Sequence, residues 1–129
     1  MNKAGFNRSE RLKSSQVITE LFEKGKTLVS PPLRMNYLIQ DAPAEGPVKA
    51  GFAVPKKVFK RATDRNLLKR RMREAYRLNK AVFDQEEKKF GSGLNLMVLY
   101  SSSEILDFQS IDNAMKILLN KLISKESGR

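Results

Sequence analysis

Residues 50–77 read AGFAVPKKVFKRATDRNLLKRRMREAYR, and this stretch decides the architecture. Ala50 to Val54 is short and apolar and stops at Pro55, the pattern of a strand. Its alternate positions Gly51 and Ala53 are small, which leaves one face open to close approach. From Thr63 or Asp64, either of which can cap a helix, a long helical pattern runs to Lys80 or beyond. At about 100° per residue, Leu68, Met72, Ala75 and Val82 fall together as a stripe to be buried. On the neighbouring flank, spread over about 140°, lie Arg65, Asn66, Lys69, Arg70, Arg73, Arg77 and Lys80. Such a helix covers a sheet on one side and turns a cationic strip outward on the other.

The flanking sequence supplies the sheet and its other cover. Val17, Ile18, Leu21 and Phe22 recur at helical spacing after a capping Ser9 or Ser14, and Gly25 follows as a stop. Beyond Pro31-Pro32, Leu33, Met35, Tyr37 and Ile39 alternate with Arg34, Asn36 and Leu38 as in a strand, and Asp41 to Pro47 reads as a hairpin loop. Gly91 to Gly93 breaks the long helix. Leu94 to Tyr100 is apolar at both alternating sets of positions, so it is expected to be a central strand buried on both sides. A last helix from about Phe108 to Ile123 gathers Ile111, Met115, Leu118, Leu119 and Leu122 on one face. The order is helix, two or three strands, helix, strand, helix: an α+β fold with a small, mostly antiparallel sheet.

The whole chain of 129 residues is one domain's worth of sequence, with a core of about residues 8–123. It has no cysteine and no histidine. Disulfides, thiolate nucleophiles, Cys- or His-type metal centres and Ser-His-Asp or Cys-His catalysis are therefore excluded. No apolar run approaches the roughly 20 residues of a membrane helix, and the residues before Arg11 lack a signal-peptide core. A cytoplasmic protein without a membrane partner is expected. The formal net charge is +11, from 25 basic and 14 acidic residues. Between Lys56 and Lys80, eleven Lys and Arg stand against only Asp64 and Glu74, so this segment carries a net +9. Like charges packed along a helix repel and cost stability; they make sense when a polyanion lies across them. Arginine predominates, and its planar fork suits phosphates and base edges. A lipid surface would need a free apolar helix face, and here that face is committed to the sheet.

The segments Ala50-Gly51-Phe52-Ala53-Val54-Pro55-Lys56-Lys57-Val58 and Ala62-Thr63-Asp64-Arg65-Asn66-Leu67-Leu68-Lys69-Arg70-Arg71-Met72-Arg73-Glu74-Ala75-Tyr76-Arg77 resemble the bacterial ribonuclease P protein family. That family carries a Gly-Phe-Ser-Val-Ser-Lys-Lys-like strand followed by an Arg-Asn-Arg-x-Lys-Arg-x-x-Arg-Glu helix. Arg11-Leu12-Lys13 and Phe22-x-x-Gly25 look like the family's opening. The resemblance implies a two-layer α/β sandwich: a four-stranded, mostly antiparallel sheet and three helices in the order α-β-β-β-α-β-α. It also implies a left-handed βαβ crossover, against the general right-handed rule. In function it implies the protein subunit of an endoribonuclease. That subunit binds a catalytic RNA, which holds Mg²⁺ and does the chemistry, and the 5′ leader of precursor tRNA. No catalytic or metal-binding residue is expected on the chain itself.

By the same resemblance Arg65, Asn66, Lys69, Arg70 and Arg73 face the RNA, as on the strip drawn from the residues alone. Arg77 extends that strip, and Lys56 and Lys57 correspond to strand-end lysines near the RNA or leader. Phe22 matches an aromatic position of a leader-binding cleft between the first helix and the sheet. Tyr37 and Phe52, expected on adjacent strands, would be its further rings. Four positions depart from the family pattern: Leu67, Ile18, Pro55 and Phe59. Two other readings share the basic helix. A ribosomal protein or assembly factor would bind ribosomal RNA. A DNA-binding helix would prefer duplex DNA, but the chain offers neither a dimerisation element nor a turn-linked helix pair, so no DNA partner is expected.

Overall fold

The computed structural model describes residues 15–39, 49–90 and 94–126. The Ser9 and Ser14 caps, Arg11-Leu12-Lys13, the Asp41–Pro47 loop and the Gly91–Gly93 break lie outside these residues, as do the side chains of Val17 and Val82. The elements are α1 (Ser15–Lys24), β1 (Lys26–Ser30), β2 (Leu33–Ile39), β3 (Lys49–Ala53), α2 (Ala62–Phe90), β4 (Leu94–Tyr100) and α3 (Phe108–Glu126). The strands form one sheet in the order β1-β2-β4-β3. β1–β2 and β2–β4 are antiparallel and β3–β4 is parallel, which makes the sheet mixed.

Alternation sorts the side chains onto two faces. Leu33, Met35 and Tyr37 of β2, Ala50 and Phe52 of β3, and Leu94, Leu96, Val98 and Tyr100 of β4 point to one face. There they meet Leu68, Met72, Ala75 and Tyr76 of α2 and Ile111, Met115, Leu118, Leu119 and Leu122 of α3. The opposite face is covered by α1, whose Leu21 and Ile18 pack with Met97, Leu38, Ala53 and Leu99. β4 is central and buried on both faces, as its unbroken apolar run requires.

The insertion of β4 between β2 and β3 corrects one expectation. Tyr37 and Phe52 are not on adjacent strands, because β4 separates them. Helix starts and ends also moved. The Arg65 backbone N–H donates to the Arg61 carbonyl at 3.2 Å, so α2 begins just after Arg61 and Asp64 sits inside the first turn rather than capping it. A carboxylate there suits the positive end of the helix dipole. α3 continues three residues past Ile123 because Glu126, only 4% exposed, is held from both sides. It accepts the Tyr37 hydroxyl at 2.6 Å and the Lys26 ammonium at 3.1 Å. Ion pairing offsets the desolvation of that carboxylate.

Close approach makes one glycine obligatory. A Cβ on Gly25 would lie 2.2 Å from the Leu21 carbonyl oxygen and 2.7 Å from that of Tyr37. The chain can therefore turn from α1 into β1 directly against β2 only where no side chain intervenes. At the other end of the sheet, a two-residue connection through the cis Pro31-Pro32 bond joins β1 to β2. The Pro32 carbonyl there accepts from the Ser101 backbone N–H at 2.7 Å.

Candidate nucleic-acid interface

The cationic strip is real, but narrower than its outline on a helical wheel. Asn66, Arg70 and Arg73 are exposed; Arg65, Lys69 and Arg77 are half-buried. Lys80, on the same predicted flank, is 6% exposed and does not belong to an outward strip. The cause is Tyr76. It lies about 20° from Arg65 on the wheel and is fully buried, its ring edge-on to Phe52 at 5.7 Å. The buried stripe therefore spreads from Leu68, Met72 and Ala75 under the near edge of the strip. What remains outward is centred on Asn66, Arg70, Arg73 and Arg77. Glu74 pairs with Arg77 on the strip's far side. A partly exposed surface ion pair of this kind contributes only about 0–1 kcal/mol, so Arg77 can exchange it for a phosphate at little cost.

Before α2 lies a loop that carries four more cations. Lys56, Lys57, Lys60 and Arg61 are all exposed. The loop folds into a turn in which the Phe59 and Val58 backbone N–H groups donate to the Pro55 carbonyl at 3.0 and 3.3 Å. Phe59 is buried, with its ring edge-on to Tyr100 at 5.7 Å. This accounts for one of the family departures, since the Phe59 ring pins the loop to the core; the Pro55 carbonyl that closes the turn is one any residue would supply, and nothing in the structure explains the proline. Arg65 closes it from the helix side: its Nη1 donates to the Phe59 carbonyl at 2.7 Å and to the Lys60 carbonyl at 2.9 Å.

A second loop is tied to the same end of the sheet. The Tyr100 hydroxyl donates to the Glu104 carbonyl at 2.5 Å and accepts from the Leu106 backbone N–H at 3.0 Å. Burial raises the pKa of that phenol, with the Leu106 hydrogen bond acting in the opposite sense. Arg71, which the wheel places off the strip, donates from Nη1 to the Leu106 carbonyl at 2.5 Å. At the start of α3 the Asp107 carboxylate accepts the Ser110 backbone N–H at 2.9 Å, a helix cap. That hydrogen bond holds the carboxyl below its usual range.

The aromatic residues expected to line one cleft do not come together. Tyr37 is 1% exposed, points to the face under α2 and α3, and gives its hydroxyl to Glu126. Phe52 points to that face too and packs on Tyr76. Neither reaches the α1 side of the sheet, because odd positions of β2 and even positions of β3 share the face under α2 and α3. Phe22 is different: it is 47% exposed on α1. It lies about 40° round the helix from Ile18, at the edge of the seam between α1 and the sheet. Ile18, where the family often has an aromatic, is packed into that seam. Residue reading overlooked Arg34 as a site residue. It is exposed on β2, and its alternation with Leu33 and Met35 puts it on the α1 face. Its place as the charged member of an apolar alternation was the available signal.

Over most of its length the chain is similar to known proteins. A family model described as Ribonuclease P matches residues 6–123. The ribonuclease P protein component of Porphyromonas gingivalis is 36% identical over 114 residues, covering 87% of this chain and 82% of that one. That of Citrifermentans bemidjiense is 30% identical over 126 residues, covering 97% and 98%. The solved RNase P protein from Thermotoga maritima superposes with a TM-score of 0.68 at 25% identity, covering 87% of this chain and 96% of its own.

Proposed function

This chain belongs to the ribonuclease P protein family, and from that premise we propose that it binds the enzyme's catalytic RNA through α2 and the loop before it. The family is that of the protein subunit of an endoribonuclease whose other component is RNA. In this reading Asn66, Lys69, Arg70, Arg73 and Arg77 lie against the RNA backbone, with Lys56 and Lys57 extending the contact from the loop. The observation that carries it is the outward line of Asn66, Arg70 and Arg73 on a helix whose opposite stripe is fully buried. Cations with few protein partners and a rigid support are what phosphate recognition requires.

Precursor tRNA is the proposed substrate, and its 5′ leader the segment the protein steers. The α1 side of the sheet is the proposed path, with the Phe22 ring as a stacking platform and Arg34 as a phosphate partner. Stacking on a ring is worth about 1–3 kcal/mol per base and tolerates any base, which suits leaders of varied sequence. Tyr37 and Phe52 have no part in it. The same reading puts the complex in the cytoplasm; among the described residues no helix is long and apolar enough to cross a membrane.

Cleavage of one phosphodiester in this family is attributed to Mg²⁺ held by the RNA. Mg²⁺ takes oxygen ligands in near-octahedral geometry. Among the described residues no three acidic side chains gather where they could hold an ion. In this reading the RNA holds the metal and performs its chemistry. The protein's contribution is positional: cations that offset phosphate repulsion between leader and ribozyme lower the Mg²⁺ concentration the RNA needs. Reconstitution with the cognate RNA and a precursor tRNA at low Mg²⁺ tests this. Adding the chain should raise leader removal by at least an order of magnitude, roughly the effect of several neutralised phosphates. Unchanged cleavage would contradict it.

A further inference from the structure

Arg65 does something its place in the sequence motif conceals. On the wheel it shares a sector with Met72 and Tyr76, both buried, not with Asn66, Arg70 and Arg73. Its guanidinium turns back along the helix and spends Nη1 on two consecutive carbonyls, Phe59 at 2.7 Å and Lys60 at 2.9 Å. A cation near the first turn of a helix is on the unfavourable end of the dipole; two carbonyl oxygens directed at it supply the compensating charge. Those carbonyls flank the point where the loop leaves the core. Phe59 anchors that point by burial against Tyr100, and Lys60 and Arg61 follow it into solvent. Four exposed cations in six residues repel one another, so an unanchored loop would splay.

We propose that Arg65 is a positioning residue. It clamps the Phe59 and Lys60 carbonyls and so sets the loop that presents Lys56, Lys57, Lys60 and Arg61 to the RNA, instead of gripping the RNA itself. The inference rests on the RNA-subunit reading above and assigns a different role to one member of its motif. Both bonds leave Nη1, whose two N–H groups are fixed in the guanidinium plane; a lysine Nζ ends one bond short of that position, yet its charge would still serve a phosphate.

The experiment is a double-mutant cycle on the full chain binding its catalytic RNA, with amide exchange on the free protein. Arg65→Ala and Arg65→Lys should weaken binding alike. In a Lys56→Ala/Lys57→Ala background, the further loss from Arg65→Ala should shrink to under about twofold, the scatter seen between independent sites. Free Arg65→Lys should also exchange its Val58 and Phe59 amides faster than wild type while keeping the wild-type melting temperature of the core. A direct contact predicts otherwise: Arg65→Lys retains binding, and the losses in the cycle multiply. That pattern, with tight wild-type binding, overturns the clamp alone. Failure of the wild-type chain to bind the RNA overturns the subunit reading, and the positioning role with it.

Discussion

Gly25 shows how much one residue decides in this fold. Its Cα packs against the Leu21 and Tyr37 carbonyls closely enough that any Cβ overlaps backbone on both sides. Backbone cannot yield as a flexible side chain does, so Gly25→Ala should destabilise the protein by about 1–3 kcal/mol, read as a lower urea midpoint at unchanged slope. Arg73 is the opposite case. It is exposed, and none of the hydrogen bonds or ion pairs described here engages it. Arg73→Ala should leave the urea midpoint within about 0.5 kcal/mol of wild type. In RNA binding it should lower the slope of log K against log salt by about 0.7–0.9, one phosphate's worth. A wild-type slope would take Arg73 off the interface. Tyr37 and Phe52 show why residue type alone misplaces rings. An aromatic at an apolar strand position is read equally well as core or as platform until the strand's neighbours are known.

At the scale of elements, what could be read was periodic and local. The buried stripe of α2, the two-faced burial of β4 and the inward face of α3 follow from side chains three or four, or two, residues apart. Sheet order did not follow, because the pairing of β3 with β4 spans the whole of α2 and leaves no local trace. The narrowing of the cationic strip escaped for a related reason: Tyr76 is buried against Phe52 of the sheet, a contact that leaves no trace in the helix's own spacing. The length of α3 was set at its far end by the distant partners Tyr37 and Lys26. Its near end depends on pH. The Asp107 carboxyl is held below its usual range by the Ser110 N–H, so its contribution is present above the ordinary carboxylate pKa. It is lost as the pH falls through the folded value. Asp107→Asn, which can still cap, should match wild type at neutral pH and show a shallower loss of stability below about pH 4. Parallel curves would remove the cap from the account.

For the whole molecule, charge and fold answer different questions. With α1 on one face of the sheet and α2 and α3 on the other, the expected two layers become three, and the fold spends its apolar residues on one continuous core under α2 and α3 and a smaller one under α1. Most of the cations of residues 56–77 are then left on surfaces the core does not need. Two of these surfaces meet at the start of α2: the strip along the helix and the loop pinned by Phe59 and Arg65. The far side of α3, where Ile117 is exposed beside Lys121 and Lys125, serves as an internal control, since it is basic as well but belongs to neither surface. The most direct measurement is crosslinking within the reconstituted complex, from a photoreactive group placed at position 70 and, separately, at position 117. The account predicts strong, specific crosslinks to the catalytic RNA from position 70 and none above background from position 117. RNA captured from position 117 while position 70 stays silent would contradict it.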